Sequence, residues 1–380
     1  MAAALYYTLT SAYSSQFFAR NITGFVCFGD TGLPARYLPP HALVDPNGPG
    51  YDGQFHFMVA QDLLGSGEVG QFVDNPAYRY QRILYPALAA VWARGDVALL
   101  PSALLKLNLL AVAATTALLA WMLRRRQLPP WYALIYPLFS SLVLATLRDL
   151  SEPTALFFLV LSLHFYLEAR VVGTAAALAL AILGRETALA LVPVLVLDAM
   201  WHRRGTRAAL VSAAALGPFA LWSGYLYSQF GQLGLGVGER VFAAPLVAMV
   251  QYATQLFTLG RPLSADPLRY LFVANGLQAE RAYFVLLALA LGFSLAVAVR
   301  ALNRRPSAIT LGLLGFSLMP LLMSDVVWQG EVWSFGRVQI LSQTLLLVHF
   351  VERGDRFALI PLWFHVVATG VCLDQLGLLG

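Results

Sequence analysis

Apolar residues run through this chain in long blocks rather than in strict alternation. The blocks fall at roughly 2–19, 97–123, 130–147, 152–169, 171–184, 186–201, 207–229, 281–302, 306–324, 333–352 and 356–378. A helix needs about 20 apolar residues to cross a bilayer, so the pattern predicts an all-α polytopic membrane protein with about 11 transmembrane helices. The blocks are far longer than the roughly 10-residue alternating strands of a membrane β-barrel, which excludes that class. Gly, Pro and charged residues punctuate the gaps, as turns between helices require. Two longer mixed segments interrupt the series, at about 20–97 and 230–280. They are read as large loops within a single transmembrane domain covering 1–380. Inside the first loop, 54–64 and 81–94 predict short interfacial helices. The former places Phe55, Met58, Val59 and Leu63 on one side, as a helix lying in the membrane surface would.

Charge orients the bundle. With the N-terminus in the cytoplasm and strict alternation, the inner loops hold Arg124, Arg125, Arg126, Arg170, Arg203, Arg204, Arg207, Arg300, Arg304, Arg305, Arg353 and Arg356. The only acids there are Glu168, Asp198, Glu352 and Asp355. Short arginine-rich loops mark the cytoplasmic side, so both large loops are expected to be extracytoplasmic.

Composition narrows the class further. The chain is 59% hydrophobic and 12% charged, against about 25% charged residues in soluble domains. A soluble enzyme, a disordered chain and a nucleic-acid-binding module are all excluded. The net charge of +5 belongs to the inner loops rather than to a nucleic-acid partner, and membrane lipids are the expected surroundings. Two cysteines, Cys27 and Cys372, give neither a disulfide framework nor a zinc site. Phosphate-loop, dinucleotide, serine-hydrolase and metalloprotease motifs are absent, so no cofactor is expected from motifs.

Ionisable groups near membrane depth are costly and point to function. Most of them gather on the outer side: Tyr51, Asp52, Gln54 and His56 in PGYDGQFHF, Arg79 and Arg82 in NPAYRYQRILYP, Arg148 and Glu152 in RDLSEP, Arg185 and Glu186 in GRET, then Asp325, Glu331 and Arg337. A transporter would instead keep its ionisable groups near the midplane. Asp52 sits in a turn sequence just before a helix, where a carboxylate can serve as general base toward a hydroxyl. Arg79 and Arg82, at i and i+3, are expected on one helical face, and arginine forks match phosphate oxygens. Ser151 is placed to cap the helix that follows it, and Arg185 and Glu186 are adjacent enough to pair with each other. Asp325 and Glu331 flank one outer loop and can contribute to a divalent-cation site with Asp52, although spacing alone does not establish one.

Taken together, GYDGQF, YRYQRILYP, SEP and LGRETAL resemble the bacterial type C glycosyltransferase (GT-C) superfamily, nearest to its membrane proteins implicated in forming cell-surface glycopolymers. The resemblance covers residues 20–200. It implies a GT-C-like bundle in the bacterial inner membrane, a long first extracytoplasmic loop with an essential acid, and a sugar donor linked to polyprenyl phosphate. Asp52 matches the essential acid. The activity implied is inverting transfer of a sugar to a cell-envelope glycan or lipid acceptor on the extracytoplasmic side. Arg79, Arg82, Arg148, Arg185 and Arg337 are the expected donor-phosphate ligands. Tyr51, Gln54, His56, Glu152, Glu186, Asp325 and Glu331 are the expected substrate contacts. Two other classes stay open: a lipid-linked-sugar flippase or transporter, and a non-catalytic subunit of a glycopolymer assembly complex.

Overall fold

The computed structural model describes residues 1–202, 205–235, 243–259, 276–324, 328, 332–376 and 378. It is helical throughout, with one minimal parallel pair of two-residue strands, Phe28–Gly29 (β1) against Val44–Asp45 (β2). Four described helical stretches are long and apolar enough to cross a membrane: Val97–Arg125, Leu210–Phe230, Leu277–Arg304 and Arg356–Gln375. A fifth crossing is obtained if Pro130–Leu138 and Ser140–Leu147, bent by 55° at Phe139, count as one span. Pro137 and the extended Phe139 cause that break, because proline withholds a backbone donor and clashes with the preceding turn. The other apolar helices are shorter, among them Leu84–Ala93, Glu152–Leu167 and Val171–Gly184.

The chain forms two compact units. The first comprises Met1–Thr115 and Ala145–Gly238, the second Thr116–Leu144 and Glu239–Gly380. The first unit opens with α1 (Ala2–Phe17), then carries α2 (Asp52–Gln61), α3 (Pro76–Tyr80) and α4 (Leu84–Ala93) in its first loop. α5 (Leu100–Arg125) follows and runs past Thr115 into the second unit; α6 (Ser140–Leu147) begins in the second unit and re-enters the first at Ala145, and α7 (Glu152–Leu167), α8 (Val171–Gly184), α9 (Leu191–Trp201) and α10 (Gly205–Phe230) complete it. At 1.5 Å per residue, the 26 residues of α5 extend about 39 Å, enough to cross with a turn to spare. Its last turn holds Arg124 and Arg125, which suit the negative end of the helix dipole.

α2 departs from the expected surface helix. Every residue from Gly53 to Ala60 is buried, and Leu63 lies beyond the helix end. The physical reason is that α2 is apolar on two sides. Phe57 and Ala60 pack into a cluster with Val26, Phe28, Tyr85, Ala89 and Leu104. Phe55, Met58 and Val59 pack into a second cluster with Val69, Val73, Tyr80 and Leu226. Fully burying side chains such as Phe57 and Met58 contributes about 1.5–3 kcal/mol each, which favours a sandwiched helix over one left at an interface. α10 fastens the loop from outside: Trp222 Nε1 donates to the carbonyl of Tyr80 at 2.8 Å, and the Tyr225 hydroxyl donates to that of Leu64 at 2.9 Å.

In the second unit, the helix Gly276–Arg304 packs along Leu359–Gln375 and Ala308–Leu318. The helix Ile340–Arg353 is buried over Ile340–Val351. A chain of polar side chains runs inside the unit: Ser141 donates to Gln343 at 2.8 Å, Gln343 Nε2 meets His365 Nδ1 at 3.1 Å, and Ser140 meets the Tyr283 hydroxyl at 2.9 Å.

Candidate functional site

Two glycines, Gly29 and Gly50, build the turn that presents Asp52. Gly50 has φ +70, a conformation glycine adopts without strain. A Cβ at Gly29 would lie 2.1 Å from the Gly50 nitrogen, so the two backbones touch. Gln54, fully buried, then clamps them: its Oε1 accepts from Gly29 N at 2.9 Å, and its Nε2 donates to Pro49 O at 2.8 Å. Gln54 therefore spends both ends of its amide on the scaffold. Tyr51 is the extended N-cap residue of α2, its backbone N–H donating to Cys27 O at 2.9 Å. Asp52 begins the helix, where the helix dipole favours a carboxylate.

Around Asp52 the first unit gathers charged side chains from three further segments. Arg79 Nη1 donates to Asp52 Oδ1 at 2.8 Å. The same guanidinium donates through Nε and Nη2 to Asp74 at 2.7 and 3.1 Å, and stacks 4.1 Å from the Phe55 ring centroid. Arg82 grips Glu186 with two bonds, Nε at 2.7 Å and Nη2 at 2.5 Å. It also donates to the Tyr78 hydroxyl and lies over that ring. Arg185 pairs with Glu152 at 2.9 Å. Arg148 Nη1 donates to Cys27 Sγ at 2.8 Å, with its guanidinium 5.8 Å from the Tyr51 ring centroid.

His56 lies one turn after Asp52 and packs edge-on against the Tyr85 ring. Burial, followed by the charge of Arg82, pushes its pKa down to about 3; Asp52 and Glu152 oppose the shift without reversing it. The imidazole is therefore neutral at physiological pH. It is packed in the site as a neutral ring rather than as an acid.

Several expected pairings change. Arg79 and Arg82 do not share a helical face, because α3 ends at Tyr80 and Arg82 turns away toward Glu186. The salt bridges of Arg185 and Glu186 go to Glu152 and Arg82 rather than to each other, with extended backbone at Arg185 (φ −160, ψ 123), although the Arg185 charge still favours ionised Glu186. Ser151 occupies the N-cap position of α7 but makes no capping bond, since its backbone is already helical (φ −80, ψ −10). Arg337 belongs to the second unit, half-buried in the helix Val332–Val338. Asp325 and Glu331 lie outside the described residues. Among the described residues, no three His, Cys, Asp or Glu side chains cluster as a metal site. Asp74, Tyr78 and Cys27 complete the constellation and were not foreseen. Asp74, five residues before Arg79, was the one legible signal among them.

Chemically, the site combines one carboxylate at a helix start with four arginines and three further carboxylates, Asp74, Glu152 and Glu186. The arginine forks can exchange carboxylate oxygens for those of a phosphate, with the same geometry and charge. No family model, characterised protein or solved structure matches the chain.

Proposed function

We propose that this protein is an inverting membrane glycosyltransferase of GT-C type. It moves a sugar from a polyprenyl-phosphate donor to a cell-envelope glycan or lipid acceptor on the extracytoplasmic side of the bacterial inner membrane. The observation that carries the reading is the meeting of Asp52, Arg79, Arg82, Arg148, Glu152, Arg185 and Glu186, drawn from four separated segments, in one unit. If the shorter apolar helices cross as well as the four long ones, the number of passes rises toward the 11 expected from the apolar blocks.

A lipid phosphate is already a good leaving group, so the reaction needs a base for the acceptor hydroxyl and cations for the departing phosphate. Asp52 is the base. Its bond to Arg79 couples the two requirements. When Asp52 takes the acceptor proton it becomes neutral, and Arg79 loses that counter-charge as negative charge builds on the leaving phosphate. Arg82, Arg148 and Arg185 supply the remaining donors, and the lipid tail lies against the helices from the bilayer side. Asp325 and Glu331 contact substrate, with a divalent cation as a further participant at that loop.

The test is direct. The purified full-length protein in lipid nanodiscs is given short-chain polyprenyl-phosphate sugars, with release of polyprenyl phosphate followed over time. Release dependent on a hydroxyl acceptor supports the reading. No release with any sugar of a broad panel, from protein that binds the lipid, counts against it.

A flippase is the second reading. The 55° break at Phe139 and the buried polar chain Ser141–Gln343–His365 are what a substrate path through the bilayer would use. It predicts lipid-linked sugar crossing vesicles with no change in covalent structure.

A further inference from the structure

The turn between α6 and α7 contains a carboxyl group that the proposed chemistry does not use. Asp149 is fully buried, and neither carboxyl oxygen has a hydrogen-bond partner among the described residues. Its backbone is left-handed (φ +48), a conformation that asparagine and aspartate tolerate better than other non-glycine residues. The nearest hydroxyls along the chain belong to Thr146, Ser151 and Thr154; none of them donates to Asp149, and Ser151 Oγ and Thr154 Oγ1 are buried and unpartnered themselves.

The turn is nevertheless held firmly. Asn108 Nδ2 donates to the Leu150 carbonyl at 3.0 Å and to the Tyr85 hydroxyl at 2.8 Å. Leu150 N donates to Ala145 O at 2.9 Å. The Arg148 carbonyl lies against α2 so closely that a Cβ at Gly53 would sit 2.4 Å from it. The titratable and charged groups around the turn are Tyr85 from α4, Asp52 and His56 from α2, Cys27 beside Arg148, Arg148 and Glu152 within the turn, and Arg185 on Glu152. None of them donates a hydrogen bond to Asp149. An ionised carboxylate without a hydrogen-bond donor is strongly disfavoured in a buried site, whereas the neutral acid is tolerated. Burial alone pushes the Asp149 pKa well above the usual carboxylate range.

We propose that Asp149 works as a neutral carboxylic acid and is a positioning residue: while it carries its proton, the 148–152 turn stays seated on α2 and holds Arg148 and Glu152 in the site, and loss of the proton unseats the turn. The seating itself is independent of the reaction, and only its catalytic consequence rests on the glycosyltransferase reading. An apolar site can keep a carboxylic acid protonated at neutral pH so that it acts as a neutral group.

Linkage fixes the sign. The native state keeps a proton that the unfolded chain releases above about pH 4, so stability falls as pH rises toward the native pKa, by up to tenfold in the folding constant per pH unit. Asp149→Asn preserves shape, neutrality and left-handed tolerance. The experiment compares full-length wild type, Asp149→Asn and Asp149→Ala in nanodiscs. Infrared difference spectra at pH 7 between wild type and Asp149→Asn are expected to lose the carbonyl stretch of a protonated acid. Loss of a carboxylate band instead overturns the proposal. Thermal unfolding from pH 5 to 9 is expected to show a shallower decline with pH for Asp149→Asn than for wild type. Parallel slopes overturn it. Sugar transfer is expected to keep its KM and kcat within about threefold in Asp149→Asn with a flattened alkaline limb, and to fall in Asp149→Ala. If wild type transfers no sugar, the glycosyltransferase reading fails, while the infrared and unfolding results still decide the state of Asp149.

Discussion

Arg82 and Glu186 stand 104 residues apart in the chain and form a buried two-bond pair, Nε to Oε2 at 2.7 Å and Nη2 to Oε1 at 2.5 Å. Only 3% and 14% of the two side chains are exposed. The pair ties the YRYQR segment of the first loop to the turn after α8. Such a pair is weak evidence of net stability, because desolvation offsets much of the attraction. Losing one partner is different, since it leaves the other charge buried and alone.

Arg82→Ala is therefore expected to lower stability by about 3–5 kcal/mol, whereas the double variant Arg82→Met with Glu186→Leu is expected to recover most of the loss. Thermal unfolding in detergent measures both. If the single and double variants unfold together, the pair does not hold these segments. The double variant also separates structure from function: under the proposed reaction it folds but uses the lipid-phosphate donor poorly.

Gly53 gives a second stability test. A Cβ there would meet two backbone oxygens, 2.4 Å from Arg148 O and 2.8 Å from Val26 O, and neither can rotate away. Gly53→Ala is expected to destabilise by about 1–3 kcal/mol, the range for overpacking. Gly224→Ala is the control. It lies within α10 with nothing within 4 Å of its added Cβ, and alanine favours a helix over glycine by up to about 1 kcal/mol. The two substitutions should shift the unfolding midpoint in opposite directions; equal shifts would remove the close approach of Arg148 to α2.

How far the sequence reaches depends on the kind of interaction. The block 97–123 becomes α5 almost residue for residue, because one apolar run ending in arginines has one solution. The block 130–147 looked continuous but breaks at Phe139, since Pro137 outweighs hydropathy. The ionisable residues of the site were legible because they interrupt apolar sequence. Their pairings were not. Local spacing joined Arg185 to Glu186, whereas backbone direction sends Arg185 to Glu152 and Glu186 to Arg82. The burial of α2 was hidden too. Its second apolar face, Phe57 and Ala60, acquires meaning only when α4 packs on it.

His56 predicts an acid limb. The free imidazole titrates near 6.5, and burial with Arg82 nearby lowers the folded value to about 3. Between those values the unfolded chain binds the extra proton. Stability is therefore complete above about pH 6.5 and falls as pH drops toward 3, by up to tenfold in the folding constant per pH unit. His56→Gln keeps a polar side chain and removes this titration. Unfolding midpoints from pH 7 to 4 are expected to fall less steeply in His56→Gln than in wild type. Identical slopes would mean the imidazole is not held neutral.

Asp52 decides the mechanism. Its partner Arg79 also holds Asp74 through two bonds of 2.7 and 3.1 Å, so Asp52→Asn does not leave the guanidinium without a counter-charge. Asp52 is 28% exposed, and asparagine suits the same turn. The variant is accordingly expected to fold, with a stability change within about 1 kcal/mol, the range for part-exposed ion pairs. As the base, Asp52 would be lost entirely, and transfer is expected to fall by about 10²–10⁴-fold while donor binding persists. Asp52→Glu keeps the charge but displaces it by one methylene, and misplacement of about 1 Å costs about 10²-fold, so it should lie between. The Arg79 contact sharpens the reading. Arg79→Lys retains charge but loses the fork that bridges Asp52 and Asp74, so it should weaken donor use. Transfer at the wild-type rate by Asp52→Asn would take Asp52 out of the mechanism and leave Glu152, Glu186 and Asp325 as the bases to test, the first two each already committed to an arginine.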